Sequence, residues 1–273
     1  MPAFSASDAA LNKQAPVGVF DSGAGGLSIL SSIHALLPAE NLLYVADSAH
    51  APYGPKGDGF IRERCERIMR FLLRHEVKAV VVACNTATAA AIAMLRETYS
   101  LPIIGVEPAI KPAAEQSTTG VVGVLATSGT IASDKFVSLQ SRFAQKAQIL
   151  TRACPGLVEL IEQVSPDTAA LERLLREYIE PLLERGADTL VLGCTHYSLI
   201  HSRIQQIAGA GVNILDAGTA VAKELQRRLV AAQACHDAGE AGFVRFHSSG
   251  DKVQQSALLG HYWGSSVDVQ ALD

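Results

Sequence analysis

Two cysteines stand at the ends of apolar runs that are typical of buried strands. Cys84 closes the run AVVVAC, Cys194 closes the run TLVLGC, and polar residues follow each of them at once. A single cysteine at such a place is usually a small buried hydrophobic residue. Two in equivalent places suggest chemistry, because an ordinary thiol has a pKa of about 8.5 and a pair can hold one thiolate and one thiol. Such a pair can act as base and acid, and exchange these roles when the reaction reverses.

Side chains that could bind a substrate or move protons adjoin both cysteines. Asn85 and Thr86 follow the first cysteine, and Thr195 and His196 follow the second. Their hydroxyl and amide groups could hold the carboxylate and ammonium of an amino acid. His196 could instead cap the helix that we expect to follow, so both interpretations stay open.

A glycine-rich stretch, DSGAGG (21–26), follows another apolar run. Asp21 could orient a thiol or make an Asx-turn. The stretch is weak as a phosphate loop because the full glycine motifs are missing, and its backbone N–H groups could equally hold a carboxylate. Further along, ADSAHAPYG (46–54) places Tyr53 where it could line a cleft, or simply lie on a surface loop.

Short apolar runs alternate with segments of helical period, which predicts an α/β fold with parallel sheets flanked by helices. Leucines and other apolar residues recur on one face in 60–73 and 168–186, and these two segments are predicted helices. The predicted strands are the runs 17–20, 41–46, 79–84, 101–106, 121–126, 147–153, 189–194 and 212–217.

The order of these features recurs along the chain. VGVFDSGAGG (17–26) resembles VGVLATSGT (122–130), and HEVKAVVVACNT (75–86) resembles ERGADTLVLGCTH (184–196). LPIIGVEPA (101–109) likewise resembles VNILDAGTA (212–220). Two such halves facing each other would bring both cysteines to one cleft, since open α/β sheets bind ligands beyond the carboxyl ends of their strands. That arrangement suits removing a proton from one face of a carbon and returning one to the other.

Composition excludes several classes of function. The chain has 273 residues and a formal net charge of −4, without the clustered basic surface that nucleic-acid binding needs. Its apolar runs are too short to cross a membrane, and the N-terminus does not have the pattern of a signal peptide. Five cysteines without a CxxC pair predict reduced thiols, no metal site and a cytoplasmic location. Cys65, Cys154 and Cys235 have no predicted role.

The motifs resemble those of the glutamate racemases, in the aspartate/glutamate racemase superfamily. The resemblance runs from about Val17 to about residue 225, and ACNTATA (83–89) together with GCTHY (193–197) makes it specific. It is carried further by FDSGAGGLS (20–28), ADSAHAPYG (46–54), GVEPAIKPA (105–113), ATSGTIAS (126–133) and ACPGLVELIE (153–162).

The resemblance implies direct interconversion of L- and D-glutamate without a cofactor, with the D form feeding peptidoglycan synthesis. It implies catalytic roles for Cys84 and Cys194, tuned by Asp21, His196 and Glu162. It implies substrate contacts at Asp21, Ser22, Tyr53, Gly54, Asn85, Thr86, Thr130, Thr195 and His196. The implied fold has two pseudo-symmetric domains with the active site in the cleft between them. Residues 1–106 and 218–273 form the first domain, with a loose tail over 1–15, and 107–217 form the second.

Some points depart from the family pattern or stay open. Ser198 stands where proline is common in the family, and the tail after about residue 240 matches only loosely. The CTH triplet favours glutamate over aspartate as the substrate. Acyl transfer or decarboxylation by one cysteine, and binding of an acidic amino acid without catalysis, remain alternatives. The oligomeric state is undetermined, with a homodimer as one alternative.

Overall fold

The computed structural model describes residues 12–165, 167–236, 239 and 241–272, and these residues form two parallel sheets flanked by helices. The strands of the first sheet are β1 (Val17–Asp21), β2 (Leu42–Ala46), β3 (Ala79–Val82), β4 (Ile103–Gly105), β9 (Val244–Ser248) and β10 (Val269–Ala271). Their spatial order is β10-β9-β2-β1-β3-β4. The accompanying helices are α1 (Leu27–Leu36), α2 (Asp58–Arg74), α3 (Asn85–Thr98), α11 (Gly218–Ala231) and α12 (Lys252–Trp263).

The second sheet is built from the middle of the chain. Its strands are β5 (Val121–Ala126), β6 (Gln148–Ala153), β7 (Thr189–Gly193) and β8 (Asn213–Leu215), in the order β6-β5-β7-β8. The helices in this part of the chain are α4 (Ile110–Gln116), α5 (Ser128–Ala132), α6 (Asp134–Phe143), α7 (Leu157–Ile161), α8 (Thr168–Glu184), α9 (Thr195–Leu199) and α10 (His201–Ala208).

The two sheets repeat one topology. The order β2-β1-β3-β4 in the first sheet corresponds to β6-β5-β7-β8 in the second, and all these neighbours are parallel. The strands β3 and β7, which lead to Cys84 and Cys194, hold the same place in each sheet. The predicted fold of two pseudo-symmetric α/β halves is therefore confirmed.

Apolar side chains cover both faces of each sheet. In β2, Tyr44 belongs to the core on one face, while Leu43 and Val45 belong to the core on the other. In β5, Val124 and Leu125 divide in the same way. Strands that are buried on both faces need continuous apolar sequence, which is why the strand runs were visible without alternation. Within the described residues, no helix combines the length and apolar character that a membrane span requires.

The C-terminal tail adds two strands that the sequence analysis did not predict. β9 pairs with β2 and β10 pairs with β9, so both extend the first sheet at one edge. Their sequences, VRFHS and VQA, are short and mix polar with apolar residues, and only Phe246 and Val269 supply large buried apolar side chains there. Their strand form depends on pairing partners from distant parts of the chain.

The N-terminal tail is described only in part. Of the predicted loose segment 1–15, residues 1–11 lie outside the described residues. Residues 12–15 form a turn in which Ala15 N donates to Asn12 O at 3.0 Å. The domain limits at 106/107 and 217/218 stay a prediction.

Candidate active site

The two predicted cysteines line one cavity although they follow strands of different sheets. Each is the N-cap residue of the next helix, Cys84 for α3 and Cys194 for α9. The cavity lies where the carboxyl ends of strands from both sheets meet. Nine of the twelve predicted site residues line it: Ser22, Tyr53, Gly54, Cys84, Asn85, Thr86, Cys194, Thr195 and His196. The other three, Asp21, Thr130 and Glu162, contact lining residues through hydrogen bonds.

Cys84 lies in surroundings that favour the protonated thiol. Its Sγ accepts a hydrogen bond from the Ala87 amide at 3.4 Å, and its thiol donates to Oγ of Ser22 at 3.9 Å. Burial raises the pKa of the Cys84 thiol well above its usual range, and the nearby Asp21 carboxylate raises it further. Cys84 is therefore suited to donate a proton.

Cys194 lies beside an ion pair instead. Its Sγ is 3.8 Å from Nδ1 of His196, and Nε2 of His196 is 2.6 Å from Oε1 of Glu162. Burial disfavours a charged imidazole, but the contacts with Cys194 and Glu162 outweigh burial, and the pKa of His196 lies well above its usual value. Burial also opposes ionisation of Glu162, yet His196 holds the pKa of that carboxyl below its usual value. Nδ1 of His196 therefore lies within reach of the Cys194 sulfur, while Nε2 on the other side of the ring contacts Glu162.

The glycine-rich stretch after β1 binds a carboxylate of the protein itself. The Ala24 amide donates to Oε1 of Glu162 at 2.6 Å. A Cβ atom at Gly23 would lie 2.0 Å from the same oxygen, and one at Gly25 would lie 2.3 Å from Nδ1 of His196. Glycine is required here because two side chains of the second half approach this backbone so closely. The sequence allowed a phosphate or a carboxylate at this stretch. The group that the structure places there is a carboxylate, the side chain of Glu162.

Asp21 is fully buried at the end of β1 and connects the two halves. Its Oδ1 accepts a hydrogen bond from the Gly23 amide at 2.7 Å, and its Oδ2 accepts one from the Thr195 hydroxyl at 2.9 Å. Burial raises the pKa of Asp21 to about 6, although His196 and the two hydrogen bonds counteract it. Asp21 thus makes the Asx-turn and also places a titratable carboxyl close enough to influence Cys84.

The loop that carries Tyr53 is fixed by a buried carboxylate, Asp47. The Tyr53 hydroxyl donates to Oδ2 of Asp47 at 2.5 Å, and Arg64 donates to both carboxylate oxygens at 2.7 and 2.8 Å. Ser249 donates to Oδ1 at 2.8 Å, and Nδ1 of His50 lies 3.0 Å from that oxygen. Burial opposes ionisation of Asp47, but Arg64 and the hydroxyl donors hold its pKa below the usual value. Since the Tyr53 hydroxyl donates its proton to Asp47, it cannot donate that proton to a ligand.

Three threonine hydroxyls connect the halves on another side of the cavity. Oγ1 of Thr86, in the first turn of α3, lies 3.0 Å from Oγ1 of Thr127 and 3.3 Å from Oγ1 of Thr130. Thr127 is the N-cap of α5 and accepts a hydrogen bond from the Thr130 amide at 3.1 Å. Thr130 therefore reaches the cavity through Thr86 rather than by lining it.

Sequence reasoning missed Asp47 and Thr127. Each follows a strand directly, β2 and β5 respectively, and Asp21 is likewise at a strand end, as the last residue of β1. The same strand-end criterion that selected Asp21 would have selected them.

Asn85 presents a donor that is not used within the protein. Its Nδ2 is buried, and among the residues that the structure describes no acceptor bonds to it. Buried donors without a partner are rare and call for an explanation. Because Asn85 lines the cavity, its amide can donate to a carboxylate oxygen of a ligand there.

The remaining cysteines do not line the cavity between the halves. Cys65, on the buried face of α2, belongs to a hydrophobic core, Cys154 is buried, and Cys235 is half-buried. Over the described ranges, no group of three or more His, Cys, Asp and Glu side chains is arranged to hold a metal ion.

Comparison with known families places this chain among the isomerases. Residues 17–225 match the family model described as Asp/Glu/Hydantoin racemase. The chain belongs to this family of racemases.

Individual relatives narrow the group. A glutamate racemase of Pseudomonas putida is 50% identical over 260 residues, which are 95% of this chain and 98% of the relative. Glutamate racemase isoform RacE1 from Bacillus anthracis superposes with a TM-score of 0.86 at 33% identity, covering 96% of this chain and 98% of the other. Escherichia coli glutamate racemase, in complex with L-glutamate and the activator UDP-MurNAc-ala, superposes with a TM-score of 0.80 at 33% identity. The superposition covers 94% of this chain and 97% of the other. Within the family, this enzyme therefore groups with the glutamate racemases.

Proposed function

We propose that this enzyme interconverts L- and D-glutamate directly, with Cys84 and Cys194 acting on opposite faces of the α carbon. The observation that carries the proposal is that two thiols from different halves of the molecule line one cavity. Inversion at a carbon requires a proton to leave on one side and arrive on the other, which one thiol cannot do without turning the substrate over.

The reaction proceeds by proton transfer alone. In one direction the Cys194 thiolate takes the α-proton and becomes a thiol, and the Cys84 thiol gives its proton to the opposite face of the carbanion and becomes a thiolate. The reverse direction exchanges the two roles, as microscopic reversibility requires. His196, held by Glu162, stabilises the Cys194 thiolate, and Asp21 tunes Cys84.

Binding of glutamate uses the polar groups of the cavity. The free Nδ2 of Asn85 donates to a substrate carboxylate, with the hydroxyls of Ser22, Thr86 and Thr195 beside it. The remaining contacts come from the backbone of the Tyr53–Gly54 turn, while Thr130 supports Thr86 from behind. The complex of the Escherichia coli relative with L-glutamate supports this substrate class.

The wider role follows from the family resemblance. D-glutamate is supplied for peptidoglycan synthesis in the cytoplasm, and no cofactor takes part. We also propose a homodimer, which sedimentation would test. The proposed domain limits at 106/107 and 217/218 would be tested by limited proteolysis.

The test is exchange of the α-hydrogen of L- and D-glutamate in heavy water, followed together with optical rotation. Cys84→Ala and Cys194→Ala should each reduce racemisation by roughly a thousandfold or more, because each removes an essential acid–base group. Cys65→Ala is the matched control, since it deletes a buried thiol outside the cavity and should retain activity.

Three results would overturn the proposal. Full racemisation by either cavity variant would remove the need for two thiols. An acyl-enzyme on one cysteine, detected by mass spectrometry, would indicate acyl transfer. Glutamate binding by the unmodified enzyme without any α-hydrogen exchange would indicate a binding protein.

A further inference from the structure

The C-terminal helix α12 brings a tyrosine to the junction of the two halves. Tyr262 is partly buried and packs against both the core of the first sheet and the core of the second. Its hydroxyl donates to the carbonyl oxygen of Ile161 at 2.8 Å. The tail that matched the family motifs only loosely thus contacts the segment that carries Glu162.

The Ile161 carbonyl is a sensitive place for such a contact. α7 has only five residues and ends at Ile161, and the last carbonyls of a helix have no partner within it. A helix this short is not stable without external contacts. The next residue is Glu162, whose Oε1 accepts from the Ala24 amide and contacts Nε2 of His196, both at 2.6 Å. A small shift of the Ile161–Glu162 peptide therefore moves the carboxylate that pairs with His196.

The Tyr262 hydroxyl is a permanent donor. Burial and the Glu162 carboxylate together raise the pKa of Tyr262 to about 12, although Arg203 lowers it, so the phenol stays protonated at neutral pH.

We propose that Tyr262 is a positioning residue for Cys194 alone: it holds the end of α7 so that Glu162 keeps His196 in place beside that thiol. The inference rests on the proposed racemisation. Cys84 bonds instead to Ser22 and Ala87, which are outside the chain of contacts from Tyr262 through Glu162 to His196. The residue therefore acts on one of the two proton transfers and not on the other.

The experiment is Tyr262→Phe, which keeps the ring between the two cores and removes only the hydroxyl. We expect kcat/KM for both enantiomers to fall by the same factor, about fivefold for one hydrogen bond, because L- and D-glutamate have equal free energies. The primary isotope effects on kcat/KM with α-deuterated substrates should diverge. The effect should rise for the enantiomer deprotonated by Cys194, where abstraction becomes slower, and fall for the enantiomer deprotonated by Cys84.

Tyr178→Phe is the matched control. The Tyr178 hydroxyl donates to the carbonyl oxygen of Pro155 at 2.7 Å, so this variant deletes the same kind of bond at the other end of the α7 segment. It should lower the melting temperature without separating the two isotope effects. In a His196→Asn background, Tyr262→Phe should cause no further loss, because its influence passes through His196.

The outcomes separate this inference from the proposed function. Isotope effects that move together in Tyr262→Phe, or an additive loss in the double variant, would overturn the positioning role while leaving racemisation intact. Absence of glutamate racemisation in the unmodified enzyme would overturn the proposed function itself.

Discussion

Replacing Asp21 by asparagine should make the protein more stable and less active at neutral pH. Asp21 is fully buried, and burial raises its pKa to about 6. In the unfolded chain the same carboxyl has a pKa of about 3.9. Between these two values the folded protein binds more protons than the unfolded chain, so the stability of the unmodified protein falls as pH rises through that window.

The size of the effect follows from the two pKa values. Folding disfavours the ionised carboxyl by about 3 kcal/mol once pH exceeds the folded pKa, and by about 1 kcal/mol near pH 4.5. Asparagine avoids this cost because it is neutral. Its Oδ1 can still accept from the Gly23 amide, and its Nδ2 can donate to the Thr195 hydroxyl oxygen, so both contacts of the carboxylate have replacements.

The assay is urea denaturation of both proteins at several pH values between 4.5 and 8. We expect the stability advantage of Asp21→Asn to grow by about 2 kcal/mol across this range and to level off above pH 7. Racemisation should fall by roughly a hundredfold, as loss of a group that assists proton transfer does. A stability difference independent of pH would refute the reasoning, because it would mean that Asp21 ionises as easily in the folded protein as in the unfolded chain.

Two further substitutions test the surrounding contacts. Asp47→Asn removes the charge that pairs with Arg64, leaving a buried guanidinium uncompensated; unfolding should become easier by about 3 kcal/mol, and KM should rise as the Tyr53 loop loosens. Thermal denaturation and initial rates measure both, and an unchanged melting temperature would contradict the role of the ion pair. Glu162→Gln keeps the shape of the side chain but removes its charge, so the pKa of His196 should fall. NMR titration of the imidazole tests this, and an unaltered titration curve would contradict it.

Local pattern was sufficient to locate the strands of the repeated core. Strands buried on both faces require unbroken apolar runs, and β5 occupies residues 121–126 as predicted. The repeated order of strands and helices then predicted equivalent strand ends for Cys84 and Cys194. This prediction depends only on topology, so no side-chain contact had to be known. The strands β9 and β10 were not predicted because their form depends on pairing: β9 pairs with β2, far away in sequence, and β10 pairs with β9.

Contacts between the halves could not be predicted in the same way. Glu162 pairs with an amide 138 positions earlier, and His196 lies against Gly25 at a separation of 171 positions. Such distances depend on how two separately folded halves meet, which no periodicity records. The glycines of the DSGAGG stretch illustrate what sequence can and cannot predict about these contacts. Their presence signals close approach of something to the backbone, but the identity of the approaching group emerges only from packing.

The asymmetry between the two thiols has a mechanistic consequence. The halves share a topology, yet Cys194 faces an imidazolium while Cys84 is buried beside a carboxyl. Under the proposed two-thiol mechanism, the enantiomer whose α-hydrogen faces Cys194 is deprotonated beside His196. The other enantiomer is deprotonated by a thiol whose pKa is raised by burial and by Asp21. Because both enantiomers have the same free energy, this difference cannot change the equilibrium. The ratio kcat/KM must be equal for the two enantiomers, so the difference between the thiols can appear only in the separate values of kcat and KM. A pseudo-symmetric fold can therefore catalyse a symmetric reaction with two chemically unlike bases.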